Sequence, residues 1–243
     1  MIQKIVLFAL SIFDYFYQKK LINFLKKNNF IKFNLLLDIG AHQGESIEFF
    51  SRNFMIKKII SFEASPINFE LLRNRIRTNN LKYSNTEIVI ENIALGAENK
   101  TTEFKQFNES SSSTIKKINE ESKYYKKKFR LINFFNKEKV YQSFKIKIFK
   151  LKDYIKQKNI QKIDFIKIDT EGYEYEILIG LGDKIKFVNT IMFEHHYDNM
   201  IKKNYTFSDI NDLLVKNNFK KIYKSRMPFR KTFEYIYARR ECH

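Results

Sequence analysis

The chain's 243 residues are 44% hydrophobic and 16% aromatic, enough to bury a sizeable core and to exclude a generally disordered protein. Its 45 Lys and Arg against 27 Asp and Glu give a formal charge of +18, which favours anionic partners or reflects a general drift toward Lys, Asn, Ile and Phe. The single Cys242 excludes a disulfide framework and a cysteine zinc cluster, and it points to a reducing compartment.

Near the start, the apolar run from Ile5 to Phe13 is interrupted by Ser11 and followed by Asp14, so it is too short to span a bilayer. No small-residue cleavage site follows, which argues against a secretory signal. Lys4, Lys19, Lys20, Lys26 and Lys27 flank aromatic and aliphatic residues. The pattern predicts a helix packed on the domain edge, with an interfacial membrane helix as the alternative.

Next, Leu35–Leu37 reads as a strand buried on both faces, ended by Asp38. Gly40, Ala41, His42 and Gly44 form a turn, and Ile47, Phe50 and Phe54 open a helix. The glycine spacing is neither G-x-G-x-x-G nor a P-loop. A second strand, Lys58–Glu63, ends in an acid, followed by Ala64 and by Pro66 at a helix start. Glu63 lies 25 positions after Asp38, close to where dinucleotide folds place the acid that accepts from ribose hydroxyls. Glu87–Asn92 is a third strand, Ile93–Gly96 (with Ala94) reads as a turn, and residues 101–107 suit a sheet edge.

The pattern then breaks. Residues 115–152 carry 13 Lys or Arg against 3 Asp or Glu, interleaved with Tyr124, Tyr125, Phe129, Phe134, Phe135, Tyr141 and Phe144. This predicts a lid or insertion at about 108–143, read either as a solvated helix with an apolar stripe or as a phosphate- and base-binding surface. Order returns with strand Phe144–Ile148, a short helix from Leu151, and strand Ile163–Asp169 running into Asp169-Thr170-Glu171-Gly172-Tyr173-Glu174. A helix follows, then strand Val188–His196 ending in Glu194, His195 and His196. Ser208 is placed to cap a further helix, and strands near 219–224 and 232–238 close the chain. Strands alternating with helices until a final hairpin predict an open, mostly parallel α/β sheet with an antiparallel edge, its polar strand ends converging on one cleft.

At this point the chain resembles the FkbM family of S-adenosylmethionine (SAM)-dependent methyltransferases. The residues that carry the resemblance are Asp38–Gly44, Phe62–Pro66, Asn92–Gly96 and above all Asp164-Phe-Ile-Lys167-Ile-Asp169-Thr-Glu171-Gly172-Tyr-Glu174, with Ser110–Thr114 and Leu151–Asp153 in support. Together they cover roughly residues 34 to 196. The resemblance implies a seven-stranded Rossmann-like class I methyltransferase sheet with helices on both faces, expected over residues 34–243, and the residue pattern places a helical extension over 1–33 ahead of it. The resemblance also implies O-methylation of a hydroxyl or carboxyl group, in tailoring of polysaccharides, glycolipids or polyketides. SAM would meet Asp38, Gly40, Ala41, His42 and Gly44 with its methionine end, Glu63 and Ala64 with its ribose, and Asn92 and Ala94 with its adenine. Asp169 and Glu171 would face the sulfonium and the acceptor. Position 42 departs from the commoner asparagine.

A sugar hydroxyl is a poor nucleophile, so a general base within reach would help. Glu171, Glu194 and His195 are the candidates beside Asp169, with Glu171 preferred, and His196 reads as structural. Asp169, Glu194 and His195 also make a conceivable divalent-ion triad, but no spacing fixes it and no metal is expected. The expected partner is a small-molecule or glycan acceptor, anionic or lipid-linked, met in the cytoplasm or at the inner face of the membrane. An RNA ribose methyltransferase is an alternative, weakened by the absence of a recognisable lysine tetrad. Base methylation is disfavoured, because Pro66 and Pro228 cannot supply an N/D-P-P-Y-type motif and Cys242 is out of position for a nucleophile. A non-enzymatic membrane or glycan-complex protein is the third reading, opposed by the acidic strand ends.

Overall fold

A computed structural model describes residues 16–79, 83, 85–107, 113–122, 125–126, 141–228 and 230–240. Helix α1 covers residues 16–27 and leads into β1 (Lys32–Ile39). The chain continues as α2 (Glu45–Asn53), β2 (Met55–Phe62), α3 (Pro66–Thr78), β3 (Glu87–Glu91), β4 (Ala94–Gly96), β5 (Lys100–Phe107) and β6 (Tyr141–Lys150). After α4 (Leu151–Gln157) come β7 (Ile163–Ile168), α5 (Glu174–Leu181), β8 (Val188–His196), α6 (Phe207–Lys216), β9 (Phe219–Arg226) and β10 (Thr232–Arg239).

The main sheet has seven strands in the order β3-β2-β1-β7-β8-β10-β9. Its first five strands are parallel, and β10 is antiparallel to both β8 and β9. Strand alternation gives it two packed faces. On one, Leu36, Ile59, Phe165, Met192 and Ile236 meet Leu21 and Leu25 of α1, Ile47 and Phe50 of α2, and Leu72 of α3. On the other, Leu37, Ile60, Ile166, Phe193 and Tyr235 meet α4, α5 and α6. The continuous Leu and Ile runs of β1 and β7 follow from this double burial.

Ala94–Gly96, expected as a turn, is instead a short strand that pairs in parallel with β6, and β5 pairs with β6 from the other side. A small second sheet, β4-β6-β5, results. Gly96 makes this possible, because its Cα lies against Ile148 and Tyr173 where a Cβ would come within 2.8 Å of both. The cap of α6 also differs from expectation. Thr206, not Ser208, is the N-cap, and it forms a reciprocal capping box with Asp209. Ser208 lies in the first turn and donates to Asp212 at 3.3 Å.

Of the basic stretch, residues 113–122 return to the sheet edge through Thr114 opposite Lys105 and Ile118 opposite Ile201. Phe129, Phe134 and Phe135, like Ile5–Phe13 and Cys242, lie outside the described residues. Among the described residues, no helix is long and apolar enough to cross a membrane.

Gly180 in α5 tests how tightly the second sheet is docked. A Cβ there would fall 2.0 Å from the carbonyl oxygen of Gly96. Alanine gains about 0.5–1 kcal/mol of helix propensity, but overpacking costs about 1–3 kcal/mol. Gly180→Ala should therefore lower stability in urea denaturation, and a more stable variant would show that the contact is loose.

Candidate active site

The turn after β1 is folded onto the end of β2. Gly40 and Ala41 donate their amides to the Phe62 carbonyl at 2.9 and 3.0 Å. Gly40 has φ +83, and a Cβ on it would lie 1.9 Å from the Asp169 carbonyl oxygen, so only glycine lets the two strand ends meet. His42 also sits at positive φ, 50°, a region where Asn, Asp and His are the enriched non-glycine residues. That constraint accounts for a histidine where asparagine is commoner.

Glu63 locks the same turn. Its Oε2 accepts from the His42 amide and its Oε1 from the Ser65 amide, each at 2.8 Å. Burial pushes its carboxyl up to about 7, against the lowering effect of those amides. Asn92 donates to the Glu63 carbonyl at 2.8 Å and so positions the acid from behind. Asn68 and Gln106 are buried beside it, Gln106 donating to Asn68 at 3.3 Å.

Each polar residue of Asp164–Glu174 has a separate task. Asp164 accepts from the amides of Asn34 and Leu35 at 2.6 and 3.2 Å, tying β7 to the start of β1. Lys167 lies 3.5 Å from Asp38 and 3.3 Å from Asp169, and donates to the Gly40 carbonyl at 3.1 Å. Burial alone would discharge this lysine, but the carboxylates of Asp169, Asp38 and Glu194 outweigh it and hold the ammonium charged. Asp38 is fully buried and also accepts from Ser46 at 2.5 Å. Glu174 closes the loop by accepting from the Gly172 amide at 2.9 Å and from the Tyr205 hydroxyl at 2.5 Å.

Glu194 points to the same sheet face as Lys167 and Met192, and Glu234 of β10 stands directly opposite it. Burial, followed by the charge of Asp169, pushes both acids up, Glu234 to about 7. His196, on the same side of β8, lies 3.3 Å from Glu171 and 4.0 Å from Glu194 through Nε2, and 3.8 Å from Asp198 through Nδ1. Burial disfavours its charge, yet Glu171 and Asp198 more than reverse this and raise it to about 10.

Together these elements bound a cleft of about 450 Å³ at the strand ends, within the usual range for small-molecule sites. Of the residues expected from the sequence, Gly40, Ala41, His42, Glu63, Ala64, Ala94, Asp169, Glu171 and Glu194 line it. Asp38, Gly44 and Asn92 stand behind as supports, Gly44 being the N-cap of α2 with φ 93.

His195 is not brought to the cleft. It follows Glu194 by one residue, so alternation turns it to the opposite sheet face. There its ring packs edge-on against Tyr197, Tyr205 and Phe207 at 4.8, 6.0 and 5.8 Å. Burial and then Lys203 push it down to about 3, so it is a neutral ring among aromatics. Neither a base role nor a metal triad with Asp169 and Glu194 is assembled around it.

The cleft residues that sequence reasoning missed include Lys167, Asn68, Tyr17, Met227, Arg230 and Glu234. Lys167 carried a signal as a cation within a strand buried on both faces, and Glu234 as an acid inside an aromatic strand.

The methyltransferase FkbM domain model matches residues 38–221. No curated protein matches the chain. Among solved structures, the chain is similar to methyltransferase FkbM from Methylobacillus flagellatus KT, at 15% identity and a TM-score of 0.55, over 84% of this chain and 43% of that one. The chain thus spans less than half the length of that relative. It is also similar to magnesium protoporphyrin IX methyltransferase from Synechocystis PCC 6803 with bound SAM, at 9% identity and a TM-score of 0.51, over 94% of this chain and 81% of that one. Both likenesses are of fold: the seven-stranded, mostly parallel sheet with an antiparallel C-terminal hairpin.

The His196 cluster makes stability depend on pH with a definite sign. Its folded-state value, raised from 6.5 to about 10, means that its stabilisation is complete below about 6.5 and is lost as pH rises through about 10. The melting temperature should fall between about pH 6.5 and 10, and His196→Asn should flatten that fall. An equal fall in the variant would show that His196 is uncharged.

Proposed function

The chain belongs to the FkbM methyltransferase family, and on that premise we propose that it is a SAM-dependent O-methyltransferase. Its acceptor on this reading is a hydroxyl or carboxyl group of a sugar in a surface polysaccharide, glycolipid or related metabolite, met in the cytoplasm. The observation that carries the proposal is the division of one strand-end cleft into two unlike halves. One half has the Gly40–His42 turn over buried Glu63, and the other has the carboxyl groups of Asp169, Glu171 and Glu194.

The first half suits SAM. Glu63 is an acceptor-only carboxylate when ionised and fits a ribose diol, while Ala41, Ala94 and Leu95 leave room for a flat base. When bound, SAM supplies a methyl group on a positively charged sulfur. Asp38 and Asp169 share the single charge of Lys167, so a net negative charge remains near where a sulfonium would lie.

In-line transfer needs little covalent assistance, so positioning supplies much of the rate. The protein's remaining task is the acceptor's proton. Of the candidate bases that line the cleft, Glu194 suits this better than Glu171. Its carboxyl is raised, chiefly by burial, which makes it a stronger proton acceptor than an ordinary carboxylate. Glu171, held by His196, is placed to orient the acceptor.

Calorimetric titration of S-adenosylhomocysteine (SAH) tests the first half. The wild type should bind in the micromolar range, and Glu63→Ala should weaken binding at least tenfold, about 1.4 kcal/mol. Equal affinity in the variant would remove the ribose assignment, and no binding by folded wild-type protein would remove the proposal.

A further inference from the structure

Glu194 and Glu234 face each other across β8 and β10, and both line the cleft. Like charges directly opposite on neighbouring strands repel, and burial sharpens the repulsion. The nearby cations Lys167 and His196 are shared with other acids, His196 standing 4.0 Å from Glu194. Lys167 serves Asp38, Asp169 and the Gly40 carbonyl, and His196 lies closest to Glu171. Glu234 is only 4% exposed, and apart from the neighbouring Tyr17 hydroxyl its Oε1 has no hydrogen-bond donor among the described residues. A buried acceptor short of donors costs stability, so the pair is a feature that stability alone does not explain.

We infer that Glu194 and Glu234 form an acceptor subsite for a protonated amine, so that the methylated hydroxyl belongs to a molecule carrying an ammonium group, such as an amino sugar. The inference rests on the methyltransferase reading and names the acceptor class for that site. An ammonium has three donors and no acceptor, the complement of two facing carboxylates. Its hydrogen bonds to them are charge-assisted, and its charge offsets their repulsion. A neutral hydroxyl offers a donor but no charge, and a carboxylate or phosphate adds a further anion. The apolar wall above the pair, from Tyr17 and Leu21 of α1 with Met192 and Met227, suits the ring of a sugar. Tyr17, Leu21, Met227 and Glu234 all lie outside the segment matched by the family model, residues 38–221, whereas Glu194 and Met192 lie within it, so the subsite joins the matched segment to its flanks.

The pH dependence follows from the groups facing Glu234: Glu194 from β8, Asp169 and Lys167 from β7 and its end, Tyr17 from α1 and Tyr223 from β9. With the Glu234 carboxyl raised to about 7 by burial, an amino-sugar ammonium binds better as pH rises toward about 7 and the acid ionises.

The test is calorimetric titration of glucosamine, glucose and glucuronate into the SAH-saturated protein. Glucosamine should bind at least tenfold more tightly than glucose, glucuronate should bind worst, and the glucosamine affinity should drop about tenfold from pH 7 to pH 5.5. Glu234→Gln and, separately, Glu194→Gln should each reduce the preference for glucosamine, with SAH binding reporting that each variant is folded. Equal binding of glucosamine and glucose, no binding of glucosamine, or a preference that survives both substitutions would overturn the subsite. Failure of SAH to bind the wild type would instead overturn the methyltransferase reading itself.

Discussion

The site depends on one buried contact. Lys167 reaches from the middle of the sheet to Asp38, Asp169 and the Gly40 carbonyl, joining the ends of β1 and β7 at the point where both chains leave the sheet. Without that ammonium the fully buried Asp38 carboxylate would be left beside the part-exposed Asp169 with no cation between them. Removing one partner from such a cluster costs about 3–5 kcal/mol, because the charge left behind is uncompensated. The close approach it stabilises also requires Gly40, whose Cα touches the Asp169 carbonyl. Charge and backbone geometry therefore specify the same juncture, and the cleft opens directly above it.

From that juncture the sheet face changes character over a single step of alternation. Leu36, Ile59 and Phe165 pack beneath α1 and α2, while Asp38, Ser61 and Lys167 come two residues later on the same face and in register with one another. The apolar layer below supplies rigidity, and the polar layer above supplies chemistry. Such a change at the carboxyl ends of parallel strands is where open α/β sheets place their ligands. The antiparallel β10 joins the polar layer from the opposite direction, which is how Glu234 arrives beside Glu194.

Much of this is legible in the sequence. The turn from Asp38 to Gly44 was legible because a sharp strand-to-helix turn restricts residue choice locally. Glu63 was legible because its spacing from that turn is set by one helix and one strand. The main sheet followed from apolar runs separated by helical periodicity. Placing His195 with Glu194 at the rim was wrong for a reason already present in the sequence, since neighbours along one strand cannot share a face. The contributions of Tyr17 and Glu234 were not legible. They depend on α1 packing over the β9–β10 hairpin, through contacts such as Phe24 against Tyr223 at 4.5 Å, and long-range packing of that kind leaves no local pattern. The strand at Ala94–Gly96 was hidden for the same reason, because its partner lies more than 50 residues away.

On the proposed function, the strand-end cleft is one reaction site with a cofactor half at Glu63 and an acceptor half at Glu194 and Glu234. A crystal structure of the protein with SAH bound tests it most directly. The ribose hydroxyls should lie on the Glu63 carboxylate and the sulfur on the Asp169 side of Lys167, with open space between that sulfur and the Glu194–Glu234 pair. SAH bound elsewhere, or lying across the Glu194–Glu234 pair with Glu63 uncontacted, would contradict it.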